Sequence, residues 1–540
     1  MKQKLSDKSN AHIPSILLLA LAASVLFIAS CGGGGTESNE SSVLETETDS
    51  PPVQPTNNVE VGSVAFAIEW EESGARTRSI TGISAPCDQI SVIRAEIHDA
   101  SENPLVMGGP WRCEEHVGTV SNVPVGKHLK ILMIAENDGG DPVYWGEAFH
   151  IEVRKDQISD AGLIRAHHID RPVGDLLADG LAELKDGADD EILNARIYFK
   201  GATIRSQNQD RGNEADTARF FHVISRTMSL FYDQQPDGVD DGLTDLGDVL
   251  DAFGYSQEGR LPVDKDEFYT GVEPSFPETL PSDAPTSEDL QTYLDTMIRP
   301  NLEAALAEAE TISQGFNYRW KDSFNNMKVE GDYGDVLIMK TYLKAALAAQ
   351  RITMAYEIDE DIDEFINLEL TIEERLNGNP ELLTLKASAA EHLTAAKGYV
   401  RGALNDLDEA IVWVMGETDS QSDDLMTIDD EPEEIDAFRE DIADYLASLD
   451  GPVIMGDPDP EERKEVTIDF SGFFAGIGLR DLLPPFSGDD PFGFFPDASM
   501  GGVVGPEIDL NEDNWTPVDS GPDVYEPNGT ADVLEGTGDL

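Results

Sequence analysis

Val64-Ala65-Phe66-Ala67-Ile68-Glu69-Trp70 alternates large apolar side chains with small or charged ones, so Val64, Phe66, Ile68 and Trp70 share one face of an extended strand. The same period of two returns in Ile93, Ala95 and Ile97 against Arg94, Glu96 and His98, then in Leu129, Ile131, Met133 and Ala135, and again in Phe149, Ile151 and Val153. Turn-forming residues punctuate these runs at Asn103-Pro104, Gly108-Gly109-Pro110 and Asp138-Gly139-Gly140. About six to eight antiparallel strands with one apolar face each predict a β-sandwich over residues 61–170.

After Pro172 the apolar period changes from two to about 3.6. Leu176 to Lys185 and Ile192 to Ser206 predict a helical hairpin, continued by Glu214 to Tyr232. Glu288 to Ser313, Asp332 to Tyr356, Pro380 to Met415 and Pro432 to Leu449 add further helices. The stripe Leu382, Leu385, Ala389, Leu393, Ala396, Val400, Ala403, Leu407, Ile411 and Val414 needs partner helices, and Val336, Met339, Leu343 and Leu347 offer one. The expectation is a multidomain chain, β first and α second, with an all-α helical-repeat or bundle domain over residues 174–450. Residues 451–504 carry Phe473, Phe474, Phe486, Phe492, Phe494 and Phe495 among Gly and Pro, and such an apolar segment is expected to pack as a strap on the helical domain. Residues 505–540 are acidic, lack Lys and Arg, and read as a disordered tail.

Three resemblances refine this reading. The stretch Val120 to Gly146, with Val123-Pro124-Val125-Gly126 and Tyr144-Trp145-Gly146, is similar to the prealbumin-like or immunoglobulin-like modules of bacterial surface proteins; such a domain reads first as a spacer holding the next one off a membrane, with ligand binding as the alternative. Ala195, Phe199 and Ala202 have the Ala-x-x-x-Phe-x-x-Ala spacing of the tetratricopeptide repeat, with Gly180 and Leu184 in the preceding helix. An ordinary helical bundle gives the same spacing by chance. Asp523-x-Tyr525-Glu526-Pro527-Asn528-x-Thr530 resembles the opening of the bacterial pre-peptidase C-terminal domain, of which the chain holds only the first residues.

The N-terminus supplies an address. Lys2, Lys4 and Lys8 precede an apolar run from Ile16 to Ile28, which is followed by Ala29-Ser30-Cys31. A secretory signal has this form, and the run is shorter than the roughly 20 residues a spanning helix needs. Ile28-Ala29-Ser30-Cys31 resembles the lipoprotein (type II) signal peptide, which implies removal of residues 1–30 and acylation of Cys31, so that the membrane is a partner through lipid. Gly32, in place of an acidic residue after the cysteine, implies an outer-membrane location. Residues 31–60, rich in Gly, Ser, Thr, Glu and Pro, read as a disordered tether.

Composition limits the partners. Against 106 acidic residues stand 37 basic ones, a net charge of −69, which repels phosphate backbones and excludes nucleic acid. The acidity is consistent with a halophile-like solvation shell, divalent-cation binding, or attraction to a basic partner. With Cys31 assigned to lipid, Cys87 and Cys113 remain for a disulfide in an oxidising compartment. Closing that loop of about 26 residues stabilises by roughly 3–4 kcal/mol in the chain-entropy description.

Candidate chemistry is sparse. Asp233-x-Gln235-x-Asp237-Gly238, with Asp241 nearby, has the oxygen ligands and glycine bend of a calcium loop, but Thr244 stands where a bidentate glutamate belongs. Asp509-x-Asn511-x-Asp513 is a second, poorer match. No zinc-protease, nucleophile-elbow or phosphate-loop motif occurs, and no catalytic residue or organic cofactor is assigned. The expectation is a lipid-anchored cell-envelope protein, not an enzyme, acting as a scaffold for a protein or peptide partner. The alternative is a calcium-stabilised surface enzyme or carbohydrate-handling lipoprotein.

Overall fold

The computed structural model describes residues 60–71, 87–186, 189–207, 212–230, 284–321, 328–358, 378–418, 432–455 and 466–482, with a few isolated positions between 243 and 281 and at 428. It combines a large β-sheet with a set of helices. Residues 1–354, with 358–366 and 398–429, form one compact unit; residues 355–357, 367–397 and 430–540 form a second.

In the first unit, β1 (Val61–Trp70), β2 (Val92–His98), β3 (Pro104–Trp111), β4 (Val117–Pro124), β5 (Gly126–Glu136), β6 (Pro142–Val153) and β7 (Ile158–His168) make one continuous sheet in the order β3-β2-β5-β6-β7-β1-β4. The two ends of that order approach each other, since a Cβ on Gly108 of β3 would lie 2.8 Å from Val120 Cγ2 of β4. The sheet is therefore nearly closed, like a barrel. Its interior holds the alternating residues expected from sequence: Val64, Phe66, Ile68 and Trp70, with Ile93, Ala95, Ile97, Ile131 and Met133. Phe66 meets Trp111 edge to face across this core at 5.4 Å, and Gly118 leaves room for the Phe66 ring.

One pairing departs from the all-antiparallel expectation. β1 runs parallel to β7, with Ile68 beside Ile164 and Trp70 beside Ala166. Parallel neighbours need a long crossover, and here all of β2–β6 lies between them. The disulfide Cys87–Cys113 spans 26 residues of sequence with its Cα atoms 5.3 Å apart.

The outer face of β5 and β6 is covered as well. Trp145, with Leu132 and Ile134 beside it, belongs to a second core made with α1 (Val173–Asp186), α2 (Asp189–Gln207) and α3 (Gly212–Ser229). Residues that alternate along β6 thus serve different cores: Tyr144 faces the sheet interior and Trp145 the helices. Neighbouring histidines on β7 separate in the same way, His168 against Tyr144 and His167 against Trp145. Two glycines permit the close approach of helices and sheet. A Cβ on Gly201 would lie 2.7 Å from Ile169 Cγ2, and one on Gly180 2.6 Å from Phe199 Cε1. Ala195, Phe199 and Ala202 are all fully buried on this seam.

Beyond them, α4 (Ser287–Tyr293) starts at a capping box in which Thr286 and Asp289 satisfy each other's backbone N–H groups. A π-helical turn, Leu294–Ile298, joins it to α5 (Arg299–Ala309). The single helix expected over Glu288 to Ser313 is interrupted there because Pro300 has no N–H to donate into the preceding turn. A hairpin that the helical period conceals, β8 (Asn317–Lys321) with β9 (Lys328–Asp332), leads into α6 (Tyr333–Ala355). α7 (Ala389–Gly416) begins nine residues later than the expected start at Pro380. Asn379 Oδ1 instead accepts from the backbone of Glu381 and Leu382, and Leu385 bridges to Tyr356 as a strand. From Gly398 on, α7 packs on α6, where Asp406 takes Lys340 and Lys344 at 3.2 and 2.5 Å.

In the second unit, α8 (Pro432–Ser448) is followed by the small hairpin of β10 (Val453–Met455) and β11 (Val466–Ile468) and by α9 (Ser471–Phe474) and α10 (Leu479–Leu482). The Tyr356 hydroxyl donates to Ile477 O at 2.9 Å, and Arg480 Nη1 donates to Asn379 O at 2.9 Å. Of the phenylalanines in the apolar segment, Phe473 and Phe474 are described and stack edge to face on each other at 5.1 Å. The other four, and all of residues 505–540, lie outside the described residues.

Gly180 separates two opposing effects. In a helix interior, alanine is favoured over glycine by about 1 kcal/mol. Here the added methyl collides with the Phe199 ring, which is buried on all sides, and overpacking of that kind costs about 1–3 kcal/mol. Gly180→Ala is therefore expected to lower stability, read as a lower chemical-denaturation midpoint, with the larger Gly180→Val lower still.

Candidate functional site

The most densely charged place in the described interior lies between the outer face of the sheet and helices α2, α3 and α5. Lys130 enters it from β5, between the apolar Leu129 and Ile131 that face the other way. Glu147 comes from β6, and Glu102 from the β2–β3 turn, where its backbone is left-handed with φ 61°. Asp99 shapes that turn by accepting the Asn103 N–H on Oδ1 at 2.8 Å. The helices contribute i, i+4 pairs: Arg196 and Lys200 from α2, His222 and Arg226 from α3. Such a pair lies on one helix face, which here is the face turned to the sheet.

The groups interlock. Lys130 Nζ sits 2.6 Å from Glu102 Oε1 and 2.7 Å from Glu147 Oε2. Arg226 Nη1 reaches the same Glu102 oxygen at 2.9 Å, and Lys200 approaches its other oxygen at 3.5 Å. Arg196 Nη2 donates to Glu147 Oε1 at 3.1 Å. The ring of Phe149 lies under two cations, 5.0 Å from Lys130 Nζ and 5.1 Å from the Arg196 guanidinium carbon. His222 Nδ1 is 2.7 Å from Glu308 Oε2 on α5.

Burial and charge compete at every carboxylate here, and charge wins. Desolvation alone would raise the pKa of Glu147, but Lys130, Arg196 and Lys200 bring it down to about 2. Burial likewise opposes ionisation of Glu308, yet His222, Lys200 and Arg226 hold it at about 2. Glu102, against the same penalty, is kept well below the carboxylate range by Arg226, Lys130 and Lys200. Burial lowers His222, with Glu308 pulling the other way.

A neighbouring set joins the β2–β3 turn to α5, α6 and α7. Glu303 accepts from Ser101, Arg299, Arg351 and the Tyr399 hydroxyl at 3.2, 3.2, 3.1 and 3.4 Å. A cavity of about 30 Å³ opens at the edge of the charged cluster, bordered by Glu102, Lys130 and Arg226, by His128 and His150 of β5 and β6, and by Asn301 of α5. Both histidines have positive φ, 54° and 59°, where the β5–β6 register shifts. Burial, then repulsion from His128, lowers the His150 pKa to about 4, with Asp248 opposing.

None of these residues was singled out from the sequence for a site. The signals available were a lysine inside an otherwise apolar strand and basic i, i+4 pairs on apolar helices in a chain with 37 basic residues in all. Of the residues the sequence did single out, Cys87 and Cys113 are joined, far in sequence from the cluster's helices. Asp233, Gln235, Asp237 and Asp241, the calcium candidates, lie outside the described residues, as does Cys31. Among the described residues no group of three or more His, Cys, Asp or Glu is arranged to hold a metal ion. No described helix is long and apolar enough to cross a membrane.

Glu147→Gln leaves Lys130 and Arg196 buried without their shared countercharge and is expected to cost about 3–5 kcal/mol. Lys155→Ala, at the solvent-exposed pair with Glu60 (2.6 Å), should leave the midpoint of the same denaturation experiment nearly unmoved. The pH response follows from the signs of the shifts. His150 is depressed to about 4 when folded, against about 6.5 unfolded. The unfolded chain therefore takes that proton first, and stability declines as pH falls from 6.5 towards 4. Glu147 and Glu308, at about 2 when folded, against about 4.3 unfolded, contribute fully above pH 4.3 and lose that contribution as pH falls towards 2. Thermal unfolding from pH 7 to 3 is expected to show both declines, and His150→Gln to flatten the upper one. Compared with models of protein families, with curated proteins and with solved structures, the chain matches none.

Proposed function

We propose that this chain is a lipid-anchored protein of the cell envelope, held at the outer membrane through Cys31, whose joined sheet and helices act as a non-enzymatic scaffold for a protein or peptide partner. The observation that carries the binding role is a row of outward side chains on the sheet. Ala67 of β1 pairs with Val117 of β4 on one side and with Leu163 of β7 on the other. Val117 and Leu163 are 53% and 61% exposed. The next rows are polar, Thr119–Ala65–Asp160 before it and Glu69–Arg165 after it. An apolar strip with a polar border is the usual anatomy of a contact surface. On a chain of net charge −69, the partner that fits presents apolar side chains within a basic surround.

The buried cluster supports the non-catalytic part of the reading. Glu102, Glu147 and Glu308 are each held ionised by cations around them, whereas an acid–base catalyst needs a group poised near the working pH. In finer terms, we assign the sheet to the immunoglobulin- or prealbumin-like sandwiches and the helices to a tetratricopeptide-like repeat or a bundle. The contact of Phe199 with Gly180 between α1 and α2 favours the repeat-like hairpin.

A photo-crosslinking residue at position 163 of the full chain, expressed in its native envelope, is expected to give one discrete protein adduct. Adding Val117→Glu should reduce that adduct at least tenfold without moving the melting temperature. Absence of an adduct, or one unchanged by Val117→Glu, removes the binding role. Intact-mass analysis of the native chain should find acylated Cys31 at the N-terminus; retention of Met1 removes the anchor.

A further inference from the structure

The two ends of the near-barrel differ in what they expose and in charge. At one end the chain enters the sheet. Glu60 O accepts from Val125 N–H of the β4–β5 turn at 2.9 Å, and Val61 O accepts from Asp156 N–H of the β6–β7 turn at 2.9 Å. Gln157 O accepts from Ser63 N–H at 2.8 Å. The start of β1 is therefore clasped between two turns, and each brings an aliphatic side chain into water. Val125 is 43% exposed, and Ile158, where β7 begins, is 71% exposed, more than any other large apolar side chain among the described residues. The third turn on this side, β2–β3, is committed to the helices through Glu102 and Arg226.

Around the entry, Lys127, Arg154 and Lys155 stand against Glu60, Glu152 and Asp156, so the charge is balanced. Lys155 meets Glu60 at 2.6 Å and Arg154 meets Glu152 at 2.8 Å, both on the surface. Exposed pairs of this kind are held weakly enough to exchange partners. At the far end, the bend before β4 and the β5–β6 turn hold Glu114, Glu115, Asp138 and Asp141 against Arg112. In a chain with 106 acidic and 37 basic residues, acidity is the rule and balance the exception. An anionic lipid surface repels the far end and not the entry end.

We propose that the entry end of the near-barrel rests on the membrane surface, with Val125 and Ile158 set among the lipid headgroups and Lys127, Arg154 and Lys155 exchanging carboxylates for lipid phosphates. The proposal rests on the anchor reading, in which Cys31 carries the lipid. Residues 32–59 join Cys31 to Glu60, so the attachment is made at this end. The far end stands one strand length further off, about 35 Å for the 11 residues of β5. Two aliphatic side chains are too few to hold a free protein on a bilayer, since even a whole acyl chain binds reversibly. On a tethered protein they act at an effective concentration of about millimolar, so the contact sets orientation and not attachment. Val117 and Leu163 lie further along their strands, beyond the row of Thr119 and Asp160, and remain clear of the lipid for a protein partner.

The test anchors the full chain through Cys31 to vesicles of phosphatidylethanolamine and phosphatidylglycerol that carry nitroxide-labelled lipid. A genetically encoded fluorescent residue is placed in turn at positions 125, 158 and, at the far end, 138. Quenching at 125 and 158 is expected to exceed that at 138 at least about twofold, since interfacial side chains enter the headgroup region by about 5–10 Å. Ile158→Asp should bring quenching at 125 down to the level at 138 without moving the melting temperature; if that variant does not fold, the three probes on the otherwise unaltered chain decide. Equal quenching at all three positions, none at 125 and 158, or quenching at 125 that a folded Ile158→Asp variant leaves unchanged overturns the proposal. Failure of the anchor reading is seen separately, as an unacylated Cys31 by intact mass. Coupling Cys31 to a maleimide lipid then supplies the anchor, and the same probes still read the orientation.

Discussion

Lys130 between Glu102 and Glu147 is the interaction on which the first compact unit depends. Its ammonium reaches a turn, a strand and, through shared carboxylates, two helices. Burying such a group is unfavourable unless every partner is in place, so the turn at Glu102, strands β5 and β6 and helices α2 and α3 are constrained to one mutual arrangement. Apolar packing at the same seam gives area but little direction. Trp145, Phe199 and Ile169 supply the contact, and the ion pairs select its register. A network of this kind is better suited to specifying a geometry than to adding stability.

The consequence for architecture is that the sheet has two buried sides over part of its width. The interior of the near-barrel is closed by its own strands, while the outer faces of β5 and β6 are roofed by helices. Strands buried on both sides lose the simple alternation of a half-exposed strand, and β5 has Leu129, Ile131 and Met133 inward with Leu132 and Ile134 outward. Elsewhere on the outer face β4 and β7 expose Val117 and Leu163, on either side of the half-buried Ala67 of β1.

Much of the element inventory was legible in the sequence. Period-two alternation located β1, β2, β5 and β6, and the change to 3.6 after Pro172 located the helices, because these periods follow from backbone geometry alone; β3, β4 and β7 were not located, and Gly108-Gly109-Pro110, read as a turn, lies within β3. The exceptions have local causes. Pro300 forces a π turn into an apolar helical run, and the Asn379 turn with the Tyr356–Leu385 bridge takes the first residues of the α7 stripe. The β8–β9 hairpin was missed because its five-residue strands are too short to establish a period.

The candidate site was not legible, and the reason is physical. An ion cluster is defined by distance in space, and Glu102, Lys130, Glu147, Arg196, Arg226 and Glu308 come from separate elements. In a chain with 106 acidic residues, no carboxylate stands out by its identity. By itself the sequence determined the order of β then α, the spacing of Gly180 and Phe199, and the excess of negative charge. Only the tertiary structure decided which few cations are taken from water, which carboxylates meet them, and that the first strand pairs with the last. Those choices depend on long-range pairing and desolvation, which no local pattern encodes.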